Sequence, residues 1–158
     1  MKSYDLIVIG GGSAGYAGAR TAKELGKSVA VIDGAQDLGG LCILRGCMPS
    51  KTLLYSAEIL HLSQNANTFG LDIKGAQVNF TALHDRKKKI IGEFQQYRTS
   101  QLEDGRFDLY RSKATFSGDK QITLDDGTHL TAKKFLIATG SKVSKPPIPG
   151  IDEIPTLT

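Results

Sequence analysis

The chain has 158 residues, 40% of them hydrophobic and 23% charged, a composition that suits one ordinary globular domain with room for a core. Its formal charge of +4 is mild, and the single basic run, Arg86 to Lys89, falls inside an amphipathic helical pattern, so it reads as a solvated helix face and not as a nucleic-acid surface. No apolar stretch approaches the ~20 residues of a membrane span, no basic-then-apolar leader precedes the first strand, and in the cytoplasmic setting this implies, two cysteines are more often redox-active, catalytic or metal-binding than a structural staple.

Residues 6–9 form a continuous apolar run, the pattern of a strand buried on both faces. Residues 13–25 read as a small-residue helix stopped by Gly26, and residues 29–32 as a second buried strand. Together they make a β-α-β unit, whose crossover is right-handed. Residues 33–46 read as a glycine-rich loop. A helix is expected after Pro49, with Leu53, Ala57 and Leu60 on its buried face. Residues 65–75 are loop-like. A second long helix is expected over residues 80–102, with Phe80, Leu83, Ile90, Ile91, Phe94 and Tyr97 on one apolar stripe. Short strands are expected at 107–110, 114–116 and 121–124. Asp126-Gly127 is a hairpin turn signal, and residues 129–131 return the chain. Residues 134–138 read as a further buried strand, closed by Thr139-Gly140-Ser141. Pro146, Pro147 and Pro149 make a stiff extended exit.

Gly10-Gly11-Gly12-Ser13-Ala14-Gly15 satisfies the G-x-G-x-x-G pattern. In a chain this rich in glycine the pattern alone is weak, but here it follows a buried strand and opens a helix, as a dinucleotide site requires. Gly10 permits the tight turn, Gly12 lets the backbone approach a pyrophosphate, and Gly15 lets the helix pack closely on the strand. The phosphates then sit at the helix N-terminus, where free N–H groups and the helix dipole favour anions. A ribose-binding acid is expected ~20 residues further on, at the end of the second strand. Asp33 stands there. The motif does not by itself separate FAD from NAD.

Cys42 and Cys47 are five residues apart. On a regular helix that spacing puts their Cα atoms about 8–9 Å apart, too far for a disulfide, which wants less than about 7 Å. A bridge therefore requires an irregular turn, which Gly46 makes feasible. A strained, accessible bridge is the labile, catalytic sort. A helix starting near Pro49 would stabilise a Cys47 thiolate at its positive end, with Lys51 adding a cation in the same turn. Two inert thiols, or half of a zinc site, are the competing readings. Structural zinc needs four ligands, and His61, His84 and His129 are scattered.

The run Gly39-Gly40-Leu41-Cys42-Ile43-Leu44-Arg45-Gly46-Cys47-Met48-Pro49-Ser50-Lys51, with the glycine loop before it, resembles the active-site signature of the class I pyridine nucleotide–disulfide oxidoreductases. That family includes dihydrolipoamide dehydrogenase, glutathione reductase and mercuric reductase. The resemblance spans essentially the whole chain. It extends to Lys113-Ala114-Thr115-Phe116 and to Ile137-Ala138-Thr139-Gly140-Ser141, which are similar to later FAD-contacting segments.

The resemblance implies an α/β, Rossmann-like FAD/NAD(P)-binding domain: a parallel central sheet, helices and a small antiparallel β-meander. It implies that residues 1–150 are an incomplete FAD-binding domain and residues 151–158 the start of a linker to a missing NAD(P)-binding domain. Gly12, Ser13, Ala14 and Gly15 would hold the FAD pyrophosphate and Asp33 the adenosine ribose, where the family more often has Glu. Gly40, Leu41 and Cys42 would lie along the flavin, with Lys51 near its N5. Ala114 would offer backbone to the adenine, and Ala138, Thr139, Gly140 and Ser141 would close the adenosine side. Cys42 would be the interchange thiol and Cys47 the thiolate against the isoalloxazine, in a relay from NAD(P)H through flavin and the Cys42–Cys47 disulfide to a disulfide or dithiol substrate.

The implied enzyme is dihydrolipoamide dehydrogenase-like, with a mercuric-reductase-like enzyme next, and a homodimer in full-length form. A nucleotide-binding redox-sensing module is the reading of another class. The family commonly has Thr and Asn where this chain has Leu41 and Leu44, and an apolar residue at Arg45. The catalytic His–Glu base of the family lies outside this chain. The isolated chain is expected to bind FAD weakly or not at all; stoichiometric flavin retained through purification would overturn that expectation.

Overall fold

The computed structural model describes residues 1–155. In chain order its elements are β1 (Lys2–Ile9), α1 (Ser13–Glu24), β2 (Val29–Ile32), α2 (Gly40–Leu44), α3 (Cys47–Gln64), a 3₁₀ turn (Ala66–Phe69), α4 (Phe80–Glu103), β3 (Asp108–Tyr110), β4 (Ala114–Gly118), β5 (Gln121–Leu124) and β6 (His129–Ile137). The strands form one six-stranded sheet in the order β3-β2-β1-β6-β5-β4. β3, β2, β1 and β6 are parallel, while β5 and β4 continue antiparallel from β6. The expected parallel sheet and β-meander are both present, and they share a strand.

β2 shows why an apolar run reads as a strand. Ala30 and Ile32 face one core cluster, with Tyr4, Ile7, Ile122, Leu124, Leu130 and Ala132. Val29 and Val31 face the other, with Val8, Tyr16, Ala19, Leu38, Leu102 and Phe107. Alternation across both faces leaves no polar side. Ile7, Ile32, Leu102, Ile122 and Leu130 are essentially sealed from water. Each such side chain contributes about 1.5–3 kcal/mol relative to an exposed one.

Several expectations are corrected. Residues 129–131 and 134–138 are one nine-residue strand, because β1 pairs with β6 along its length, from Lys2 opposite Leu130 to Ile9 opposite Ile137. The loop expected over 33–46 contains α2, and α3 begins at Cys47, ahead of Pro49. The apolar stripes of α3 and α4 are not core. Leu53 is 40% exposed, and Phe80, Phe94 and Tyr97 are 77%, 43% and 62% exposed. Only Thr52 of α3 and Leu102 of α4 are buried. Here the two helices line an open groove of about 1030 Å³, walled by Leu53, Ile59, Leu60, Val78, Phe80 and Leu83. The exit after β6 lacks regular structure up to the turn that ends near Glu153, and the linker reading of 151–158 falls in part outside the described residues.

Candidate active site

The carboxyl ends of β1, β2 and β6 converge on the glycine loop. Gly10 N–H donates to Ile32 O at 2.7 Å, and Ala138 N–H donates to Ile9 O at 2.8 Å. Gly10 has φ +104°, and a Cβ there would stand 2.2 Å from Ala138 O. Only glycine adopts this conformation without strain. A Cβ at Gly15 would stand 1.7 Å from Gly10 O, so the first turn of α1 lies directly on the end of β1. Both close approaches leave no room for a side chain at Gly10 or Gly15.

The start of α1 is open to an anion. Gly12 is its N-cap, no side chain caps it, and no acid lies in the first turn. The first helical bond runs from Tyr16 N–H to Gly12 O at 2.8 Å. The N–H groups before Tyr16 in that turn have no intrahelical acceptor. An uncapped, acid-free helix start on a glycine turn fits a pyrophosphate.

Asp33 is 9% exposed. Its Oδ2 accepts from Gly11 N–H at 2.8 Å and its Oδ1 from Ala35 N–H at 2.9 Å. The carboxylate thus holds the glycine loop to the end of β2, a role the sequence reading missed. A carboxylate has about four acceptor sites, so the ribose contact is compatible with both bonds. Gly11 is the other residue missed: a Cβ on it would meet Asp33 Oδ2 at 3.0 Å and Leu102 Cδ1 at 3.2 Å. The unbroken triplet Gly10-Gly11-Gly12 was the signal.

The loop after β2 meets the start of β4. A Cβ at Gly34 would lie 2.8 Å from Ser112 C and 2.9 Å from Lys113 N. Arg111 Nη2 donates to Ala35 O at 2.5 Å and Gln36 O at 2.9 Å. Ala114, half-buried, opens β4 beside this junction. On the other side Ala138 and Thr139 border Gly10, while Thr139, Gly140 and Ser141 are exposed.

The cysteine turn sits against the glycine loop by backbone alone. Gly40 has φ +73°, and a Cβ on it would lie 2.5 Å from Gly12 Cα. α2 is only five residues long and ends where Arg45 N–H donates to Leu41 O at 2.9 Å. Gly46 then breaks the helical path: a Cβ there would press on Leu41 O at 3.1 Å and Cys42 Cα at 3.4 Å. α3 restarts at Cys47. This is the irregular turn that the cysteine spacing demanded.

Cys42 is half-buried, Cys47 is exposed, and both are free thiols. The Cys47 thiol is pushed above its ordinary pKa, first by Cys42, then by partial desolvation. Its own backbone N–H and Lys51, one turn along α3, oppose this and are outweighed. The expected thiolate stabilisation is therefore present in kind but does not dominate in the dithiol. Leu41, expected along the flavin, is 47% exposed. Among the described residues no group of three or more His, Cys, Asp or Glu side chains could hold a metal ion.

The model of the family described as "Pyridine nucleotide-disulphide oxidoreductase" matches residues 4–157. The chain belongs to this family. It is 38% identical over 98% of its length to a mercuric reductase of Staphylococcus aureus, and 31% identical over 94% to a dihydrolipoyl dehydrogenase of Bacillus subtilis strain 168. The fold superposes on the HOCl-induced flavoprotein disulfide reductase RclA of Escherichia coli, solved as a Cu(II) complex, with TM-score 0.72 and 28% identity over 95% of this chain. The chain spans 28% of that mercuric reductase, 33% of that dihydrolipoyl dehydrogenase and 31% of the RclA chain.

Proposed function

We propose that this chain is the FAD-binding, dithiol-bearing part of an NAD(P)H-linked flavin disulfide oxidoreductase, with residues 1–150 as the FAD domain and 151–158 leading toward the NAD(P) domain. The observation that carries this reading is the backbone contact of Gly40 with Gly12, which sets the Cys42–Cys47 turn against an uncapped anion site. FAD, when bound, supplies two-electron exchange between a nicotinamide and the dithiol.

The chain's own residues do the rest. The turn from Gly12 to Gly15 presents N–H groups to the pyrophosphate, and Asp33 offers its remaining lone pairs to the ribose. Ala114 and the segment Ala138 to Ser141 border the adenosine side. Gly40, Leu41 and Lys51 border the flavin. Cys42 serves as the interchange thiol and Cys47 as the flavin-side thiol. The substrate is a compact disulfide or dithiol of the lipoamide type, turned over by a cytoplasmic homodimer. A mercuric-reductase-like activity is the second reading, supported by the identity of the relatives so named, which reaches 38% against 35% for the dihydrolipoyl dehydrogenases.

The test is an anaerobic reductive titration of the flavin-loaded protein, in the full chain its gene encodes. A long-wavelength absorption band at two electrons, absent in Cys47→Ser, is expected. Simple flavin bleaching without that band would sink the dithiol–flavin reading.

A further inference from the structure

The direction of the Asp33 carboxylate is set by the turn that follows β2. Asp33 Oδ1 accepts from Ala35 N–H at 2.9 Å, an Asx turn over residues 33–35, and Oδ2 accepts from Gly11 N–H at 2.8 Å. Each oxygen thus gives one acceptor site to backbone and keeps the other free. Residues 34–36 belong to no helix or strand, and their sequence, Gly-Ala-Gln, offers little packing of its own. Arg111 holds them. Its Nη2 donates to Ala35 O at 2.5 Å and to Gln36 O at 2.9 Å. Ala35 is therefore bonded on both sides, to Asp33 through its N–H and to Arg111 through its carbonyl. Arg111 itself rises from a fixed base. Asp33 N–H donates to Tyr110 O at 2.9 Å, and Gly34 lies directly on the backbone of Ser112 and Lys113. Lys113 N–H donates to Asp125 Oδ2 and Asp125 N–H to Ser112 Oγ, both at 3.1 Å. Among the described residues Arg111 joins none of the ion pairs, so its charge is directed at the two carbonyls.

We propose that Arg111 is a positioning residue for dinucleotide binding: it locks the Asp33 turn so that the carboxylate presents its free acceptor sites to the hydroxyls of the adenosine ribose. This rests on reading the glycine loop as the FAD site, and it adds to that site a residue far from the glycine motif in sequence. A carboxylate on a loose turn must be ordered when the ribose arrives, which weakens binding. Arg111 does that ordering beforehand, in the folded protein. Its guanidinium touches the turn and not the nucleotide, so its effect is confined to what Asp33 recognises.

The test uses the full chain its gene encodes, stripped of flavin and titrated with FAD and with the analogue of FAD built on 2′-deoxyadenosine. Flavin absorbance follows the flavin site alone. Wild type is expected to prefer FAD about tenfold, the worth of one hydrogen bond to a carboxylate. In Arg111→Met the preference should fall below about threefold, through loss of affinity for FAD and little loss for the analogue. Arg111→Lys, which can still donate to the carbonyls, should recover most of it. Equal weakening of both dinucleotides, the mark of a merely structural role, would overturn the proposal, as would a wild-type preference in Arg111→Met or no preference in wild type. Should Arg111→Met misfold, Arg111→Gln, shorter and uncharged, is read in the same way. No flavin binding by wild type would discard the FAD reading and the proposal with it. A preference shared equally by wild type and Arg111→Met would discard the role of Arg111 and leave the FAD reading standing.

Discussion

A single methyl group at residue 40 tests whether the anion loop and the thiol turn can share their contact. The Cβ of Gly40→Ala would stand 2.5 Å from Gly12 Cα, and φ is +73°. Both partners are backbone, so neither can rotate away. The variant is expected to lose about 1–3 kcal/mol of stability and to bind ADP or FAD much more weakly. Gly12→Ala differs, because its methyl would meet Gly40 Cα at an ordinary 3.5 Å. It should unfold close to wild type yet lose nucleotide, since its methyl crowds the anion cradle. Thermal unfolding beside calorimetric titration separates the two, and wild-type affinity in Gly40→Ala would contradict the contact. Cys47 offers a second test at this scale. Cys42 is the largest cause of its raised pKa, while Lys51 and the start of α3 pull it down. Cys42→Ser should therefore shift the pH midpoint of Cys47 alkylation downward. An unmoved midpoint would assign the shift to desolvation instead.

At the scale of elements, apolar periodicity identified helices correctly and misjudged what they bury. Phe80 heads the apolar stripe of α4 yet is 77% exposed, while Leu102 at the other end is fully sealed between the sheet and Gly11. Phe80→Ser should change stability by less than about 0.5 kcal/mol, and Leu102→Ala should cost about 2–5 kcal/mol. Chemical denaturation of the two variants measures both, and a large loss at Phe80 would place the stripe in the core after all. What was legible had a local cause. β2 announced itself by Val29 to Ile32, and the hairpin by Asp126-Gly127, whose Gly127 N–H donates to Leu124 O at 2.9 Å. What was not legible had none. The five residues of α2 are too few to show a helical period. Lys133 and Lys134 interrupt the apolar pattern of β6, but they are exposed and leave its pairing with β1 intact. The contact of Gly12 with Gly40 joins residues far apart in sequence, so the glycine loop and the cysteine turn could be read separately but their contact could not.

At the scale of the molecule, the parallel strands point their carboxyl ends at the site, as open α/β sheets do. Toward the β3 edge, opposite the meander, the sheet is tied by a polar cluster. Tyr4 O–H donates to Asp108 Oδ2 at 2.5 Å, and Lys2 Nζ donates to the same oxygen at 3.2 Å. The Tyr110 and Tyr4 hydroxyl oxygens lie 2.8 Å apart and, since the Tyr4 O–H points to Asp108, the Tyr110 O–H donates to the Tyr4 oxygen. The cluster joins β1 to β3 across β2. It also sets a pH window. The Asp108 carboxyl is held below its ordinary pKa, first by the Tyr4 hydroxyl and also by Lys2. Its contribution to stability is present above about pH 4, the unfolded value, and is lost as pH falls through the depressed folded value. Tyr4 shifts upward, first through burial and then through Asp108. Its contribution is present below about pH 10 and is lost as pH rises through the raised folded value. Tyr4→Phe removes the donor and keeps the packing of a ring that is 7% exposed. At pH 7 the variant should be less stable by about 1 kcal/mol, reduced from the usual worth of a bond to a charged acceptor because Asp108 is partly exposed. As pH falls through the depressed folded value the gap should narrow, because protonation of Asp108 removes the charged acceptor. Urea unfolding of the two proteins from pH 2 to pH 9 measures the gap directly. A gap that does not narrow while the Asp108 carboxyl itself is seen to titrate would mean that the Tyr4 bond does not depend on an ionised Asp108, and the acid edge of the window would then belong to other carboxylates.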